Sequence, residues 1–162
     1  MAETTGEAPT FYCDAMLGGL ARWLRAAGYD ARFDYGIDDA VLLARAREQG
    51  RIVLSSDGPL FDRTVVRTGQ VRALFIPRQT GKIEQLHFVM RHFSLPLRPA
   101  RCMACGGGLI EVPRHAAAAE APPLAFRRCD RFWRCDRCDK LLWNGTHWQR
   151  VDRQLRTLAG EQ

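Results

Sequence analysis

Between residues 10 and 98, short apolar runs alternate with longer stretches in which apolar positions recur every three or four residues. Residues 10–13 form a short apolar run closed by Asp14. Leu17, Leu20, Ala21 and Leu24 then share one face of a helix expected over 17–27, which Gly28 ends. Residues 31–33 read as a weak strand. Asp38 or Asp39 caps a second helix, AVLLARAREQ, and Gly50 stands where helices commonly close. Residues 51–55 (RIVLS) are the clearest strand, a continuous apolar run of the kind buried on both faces of a parallel sheet. A helix over 60–68, a strand over 71–76 and a helix over 83–93 follow. This alternation predicts an α/β fold with a parallel sheet and helices on both faces.

The pattern changes at Pro96 and Pro99. Beyond them lie five of the six cysteines and three of the four tryptophans. Residues 1–9 read as a disordered tail, 10–98 as the α/β domain, 99–151 as a small second domain and 152–162 as a C-terminal tail. Ala116 to Ala119 with Pro122-Pro123 reads as a low-complexity connector inside the second domain. The net charge of +6 is divided between them. Residues 1–100 carry 13 cations against 11 anions, a net of +2, and residues 101–162 carry 11 against 7, a net of +4. Arginine supplies all of the cations except Lys82 and Lys140, and its planar fork suits phosphate, which keeps nucleic acid in view. No run approaches the roughly 20 apolar residues that span a bilayer, and MAETTGEAPT lacks the basic start of a secretion signal. A cytoplasmic protein with no membrane partner is therefore expected.

In a reducing cytoplasm, cysteines at regular spacing point to metal rather than disulfides. Cys102-x-x-Cys105 and Cys135-x-x-Cys138 each let two thiolates chelate from one turn, and together they complete a tetrahedral zinc site. A closed site of four cysteines is structural. The 29-residue gap between the pairs is long for a ribbon, and an insertion at the Ala/Pro connector accounts for it. Cys13 and Cys129 fall outside the pattern, Cys13 as a small buried residue on its strand.

Acids gather at the strand ends. Asp14 follows the first strand, Asp34, Asp38 and Asp39 the second, and Asp57 the third. In a parallel sheet these ends share the carboxyl edge, where open α/β folds bind their ligands. Clustered carboxylates suit a hard cation such as magnesium or manganese, which assists in-line attack of water on a phosphodiester. Each acid also has a plainer reading: Asp38 as a helix cap, Asp57 as a turn former, Asp14 as a strand-end cap. A haloacid-dehalogenase-type phosphatase is disfavoured because Met16 stands where its second Asp belongs. In the second domain, Arg127, Arg128, Arg131, Arg134 and Arg137 interleave with Phe126, Phe132 and Trp133. This mixture suits single-stranded RNA, or else the aromatics pack the ribbon against the larger domain.

The stretch Asp14-Ala15-Met16-Leu17-Gly18-Gly19-Leu20-Ala21-Arg22-Trp23-Leu24-Arg25 is followed by Gly28-Tyr29-Asp30, Ile37-Asp38-Asp39, Gly50-Arg51-Ile52 and Ser56-Asp57. Toward the end come Phe132-Trp133-Arg134-Cys135 and Trp143-x-Gly145-Thr146-His147-Trp148. In this order the motifs resemble the Mut-seven C-terminal RNase family. The resemblance implies a PIN-like three-layer fold with a parallel sheet, followed by a zinc ribbon. It implies a ribonuclease whose catalytic acids are Asp14, Asp38, Asp39 and Asp57. Asp14, Asp39 and Asp57 would hold magnesium or manganese, and Cys102, Cys105, Cys135 and Cys138 structural zinc. Arg22, Arg25 and Ser56 are the candidate substrate contacts, with a solvated helix face and a strand end as the plainer alternatives. Where PIN-like sites often carry a further acid, this sequence has Arg78-Gln79-Thr80. The expected partner is single-stranded RNA, and homodimerisation, frequent among PIN-like proteins, comes with the resemblance. The competing expectation is a non-catalytic RNA- or protein-binding module that keeps the fold.

Overall fold

In the computed structural model, which describes residues 6–160, β1 (Phe11–Cys13) is completely buried at the centre of a four-stranded parallel sheet. β2 (Ala31–Phe33) lies on one side of it, and β3 (Ile52–Ser55) and then β4 (Ala73–Phe75) on the other. Successive side chains of a strand point to opposite faces, so these short segments feed two cores. Phe11, Cys13, Ile52 and Leu54 join α1 (Gly18–Ala26), α4 (Lys82–His92) and α7 (Thr146–Leu158). Tyr12 and Val53 join α2 (Asp39–Gln49) and the segment that holds the 3-10 helix Gly58–Asp62 and α3 (Thr64–Arg67). The three layers expected of the sequence are present, and Cys13 is buried as expected. Of the expected tail at 1–9, residues 1–5 lie outside the described residues.

The strand order β2-β1-β3-β4 reverses direction between β1 and β3. A crevice forms at such a switch point beyond the carboxyl ends of the strands. The residues delivered there are Asp14 and the Ser55-Ser56-Asp57 run. α2 starts at Asp38, whose carboxylate accepts a hydrogen bond from the Ala40 N–H at 2.9 Å, and closes on Gly50. The helix expected over 60–68 is instead two short pieces. Pro59 sits in the first turn of the 3-10 helix, and Arg63, extended at ψ 136°, separates it from α3.

The second domain is an antiparallel sheet of β5 (Leu109–Val112), β6 (Phe132–Cys135) and β7 (Leu141–Trp143). Val112, Phe132 and Trp143 stand opposite one another and are covered by α5 (Arg114–Ala117) and α6 (Pro123–Arg128). The Ala/Pro connector is thus a packed cap on the sheet, and buried Cys129 belongs to its core. Residues 152–158 are not a tail. They continue α7, whose Trp148, Val151, Leu155 and Leu158 return to the core of the first domain. Among the described residues no helix is long and apolar enough to cross a membrane.

Candidate functional site

Asp14 is the anchor of the acid edge. Its side chain is buried, with one carboxylate oxygen accepting the Met16 N–H at 2.9 Å. The other accepts the Ser55 hydroxyl and, at 3.3 Å, the Ser56 N–H. Ser55 in turn receives the Asp57 N–H at 3.0 Å, so one hydroxyl links the ends of β1 and β3. Asp39, in the first turn of α2, reaches the same place. Burial, a hydrogen bond to the Asp57 carboxyl and the charges of Asp57 and Asp14 push its carboxyl above the ordinary range, and Arg63 opposes them. Like charges crowded together disfavour ionisation, which is the electrostatic state a bound cation reverses.

Three expected site residues are placed otherwise. Asp38 is exposed, and its carboxylate is taken up in capping α2. Ser56 gives its hydroxyl to the Ile76 carbonyl at 2.8 Å and offers the site only its N–H. Arg25 is 5% exposed and does not face substrate. Its guanidinium donates to the carbonyls of Ala31 at 2.7 Å, Met103 at 3.0 Å and Ala104 at 3.2 Å. The side chain therefore ties α1 to the turn between Cys102 and Cys105. Arg22, one turn earlier on α1, is exposed. Asp34 is drawn off by Tyr12, Arg32 and Arg45, and these outweigh burial to hold its carboxyl below the ordinary range. Either Ser55 or Ser56 could serve the site by position along the chain, and the register of β1 against β3 settles that the Ser55 hydroxyl is the one facing Asp14.

The sulfurs of Cys102, Cys105, Cys135 and Cys138 all lie within 4.8 Å of one another and can hold a metal ion such as zinc. Among the described residues no other set of three or more candidate ligands comes so close; Asp14, Asp39 and Asp57 remain wider apart. The donor chemistry fits a thiolate-bound metal. The Gly107 N–H points at Cys105 Sγ at 3.3 Å, and the Arg137 and Cys138 N–H groups point at Cys135 Sγ at 3.4 and 3.5 Å. Burial raises the Cys135 thiol, but the backbone donors and neighbouring thiols prevail and bring it down to about 7. Burial and the crowding of the other thiols push Cys102 up and Cys105 up to about 12, the crowding that a bound cation relieves. Gly107 is required by space: a Cβ there would lie 2.6 Å from Cys135 Sγ.

The arginines of the second domain are largely engaged. Arg131 pairs with Glu111 at 3.0 Å, and Arg134 is bound to Glu120. Arg137 reaches Asp30, the partner of Arg51, across the domain boundary at 3.6 Å. Phe132 is fully buried and Phe126 packs against it inside the ribbon, beneath α5 and α6 rather than against the larger domain; Trp133 is only half-buried.

The family model of the Mut7-C RNAse domain matches residues 9–155. The Exonuclease mut-7 homolog of Homo sapiens is 38% identical over 98 residues, covering 57% of this chain and 11% of that protein. The chain thus corresponds to a small part of the relative's length. No solved structure matches it.

Proposed function

The chain belongs to the Mut7-C RNAse domain family, a nuclease family, and on that premise we propose that it hydrolyses RNA phosphodiester bonds at the carboxyl edge of its parallel sheet. The observation that carries this reading is the Asp39 carboxyl, held against Asp57 beside Asp14 and raised by burial, by its hydrogen bond to Asp57 and by their charges. An all-carboxylate donor set suits magnesium or manganese. Asp14, Asp39 and Asp57 would hold the ion. It would supply positive charge at the scissile phosphate and lower the pKa of water. Ser55 and the Ser56 N–H fix the direction of the Asp14 carboxylate. Arg22, exposed one helical turn from Gly18, offers a fork of donors to a phosphate oxygen. Hydrolysis adds water across one P–O bond, and the leaving oxygen departs with a proton. The four thiolates hold zinc as a structural ion, and the ribbon aids RNA binding.

One observation favours the alternative, a binding module without catalysis: the three acids do not close together as the cysteines do. Labelled single-stranded RNA incubated with manganese separates the two. Wild-type protein is expected to shorten the RNA, while Asp14→Asn and Asp57→Asn lose the activity by at least about 100-fold, the scale of removing a main transition-state contact. Equal degradation by all three proteins identifies a contaminant and defeats the proposal.

A further inference from the structure

The uncovered face of the ribbon sheet looks across a groove of about 1180 Å³ toward α1 and α7. α5 and α6 cover the face carrying Phe132, whereas Trp133 and Leu142, paired across β6 and β7, stand on the other face and line the groove. The Arg131 guanidinium lies 5.0 Å from the Trp133 ring. Arg22 enters from α1 and Lys140 from the turn before β7, and among the described residues neither side chain has a partner. The one acid in this lining, Asp152, is already paired with Arg156 at 3.0 Å. The lining includes Gly18, four residues after Asp14, and Phe33, the last residue of β2, so this part of the groove lies on the side of the sheet where the strands' carboxyl ends are.

We propose that this groove binds the unpaired nucleotides of an RNA strand next to the phosphate presented to the acids, with a base stacked on Trp133 and the backbone held between Arg22 and Lys140. The proposal rests on the reading of RNA as substrate and assigns where and in what form the strand lies. Two cations without partners, facing each other across a channel whose acid is neutralised, complement a polyanion. An aromatic face between them selects unpaired bases, because a duplex keeps its bases stacked inside. The groove has a wall from each domain, so grip on RNA depends on the docking that Arg25 maintains.

Binding of a fluorescent oligouridine by the full chain, without added divalent cation and in an Asp57→Asn background, tests this without cleavage. Trp133→Ala and the pair Arg22→Ala/Lys140→Ala are each expected to weaken binding by about tenfold or more, and Trp133→Phe to restore most of it. A duplex of the same length is expected to bind less well, and oligoglutamate not to compete. Unchanged affinity in both groove variants overturns the proposal. So does equal binding of duplex, or competition by oligoglutamate as strong as by RNA, which would mark the groove as a dock for an acidic peptide. If Trp133→Ala also loses zinc, the Arg22/Lys140 pair, on exposed positions, decides. Cleavage absent from the wild-type protein with manganese while these variants bind more weakly contradicts the nuclease reading and supports the groove. Cleavage present with unaltered binding contradicts the groove alone.

Discussion

Ser55 is fully buried between the Asp14 carboxylate and the Asp57 N–H, and removing its hydroxyl leaves the Asp57 N–H without its acceptor and Asp14 Oδ2 with the Ser56 N–H alone. Ser55→Ala is therefore expected to destabilise the protein by about 1–3 kcal/mol in urea unfolding, the cost of an unsatisfied buried group. A loss of only a few tenths would show that water replaces the hydroxyl. Asp39 carries the pH dependence. Its carboxyl is raised in the folded state, so its contribution to stability is complete below the ordinary carboxylate pKa and disappears as pH rises through the raised value. Without divalent cation, the melting temperature should fall across that interval; manganese should abolish the fall, and Asp39→Asn should flatten it. A profile identical in wild type and Asp39→Asn contradicts the crowding of Asp39 by Asp57 and Asp14. The acids themselves were legible in the sequence because each follows a strand. The role of Arg25 was not, because its carbonyl partners Met103 and Ala104 lie far along the chain in a separate domain.

Elements announced by apolar periodicity were found within a residue or two, as with β3 and α2. The exceptions have local causes. Arg63 interrupts the helix expected over 60–68, and α7 was missed after the zinc motif although Trp148, Val151, Leu155 and Leu158 recur at helical spacing. Leu155 is 3% exposed, so Leu155→Ala is expected to cost about 2–5 kcal/mol, measured by denaturant unfolding. A neutral effect would restore residues 152–162 to the status of a tail. In the knuckles, Gly107→Ala sets a methyl against Cys135 Sγ. The variant is expected to lose bound zinc, while Gly69→Ala, where a Cβ meets nothing within 4 Å but φ is +76°, perturbs only its own turn and keeps the metal. Equal zinc content in Gly107→Ala and wild type would contradict the packing of that turn.

The whole molecule is two unlike units joined by polar contacts: buried Arg25 to the first knuckle, and Asp30 to the half-exposed Arg137 beside the second. Metal binding in such a ribbon is folding energy. Stripping zinc is expected to free α1 and α7 along with the ribbon, so that amide exchange quickens in the first domain too; exchange confined to residues 101–143 would contradict the coupling. The division of charge takes on meaning at this scale. Arg131, Arg134 and Arg156 of the terminal segment pair with its own acids and Lys140 lines the groove, whereas Asp14, Asp39 and Asp57 of the α/β domain gather where β1 and β3 end. Whether those acids hold a divalent cation is the central claim, and manganese paramagnetic resonance titration of the zinc-loaded protein tests it most directly. Wild type is expected to bind manganese, and Asp14→Asn and Asp57→Asn to lose it while keeping their zinc. Manganese binding that is absent from wild type, or unchanged in both variants, would contradict it.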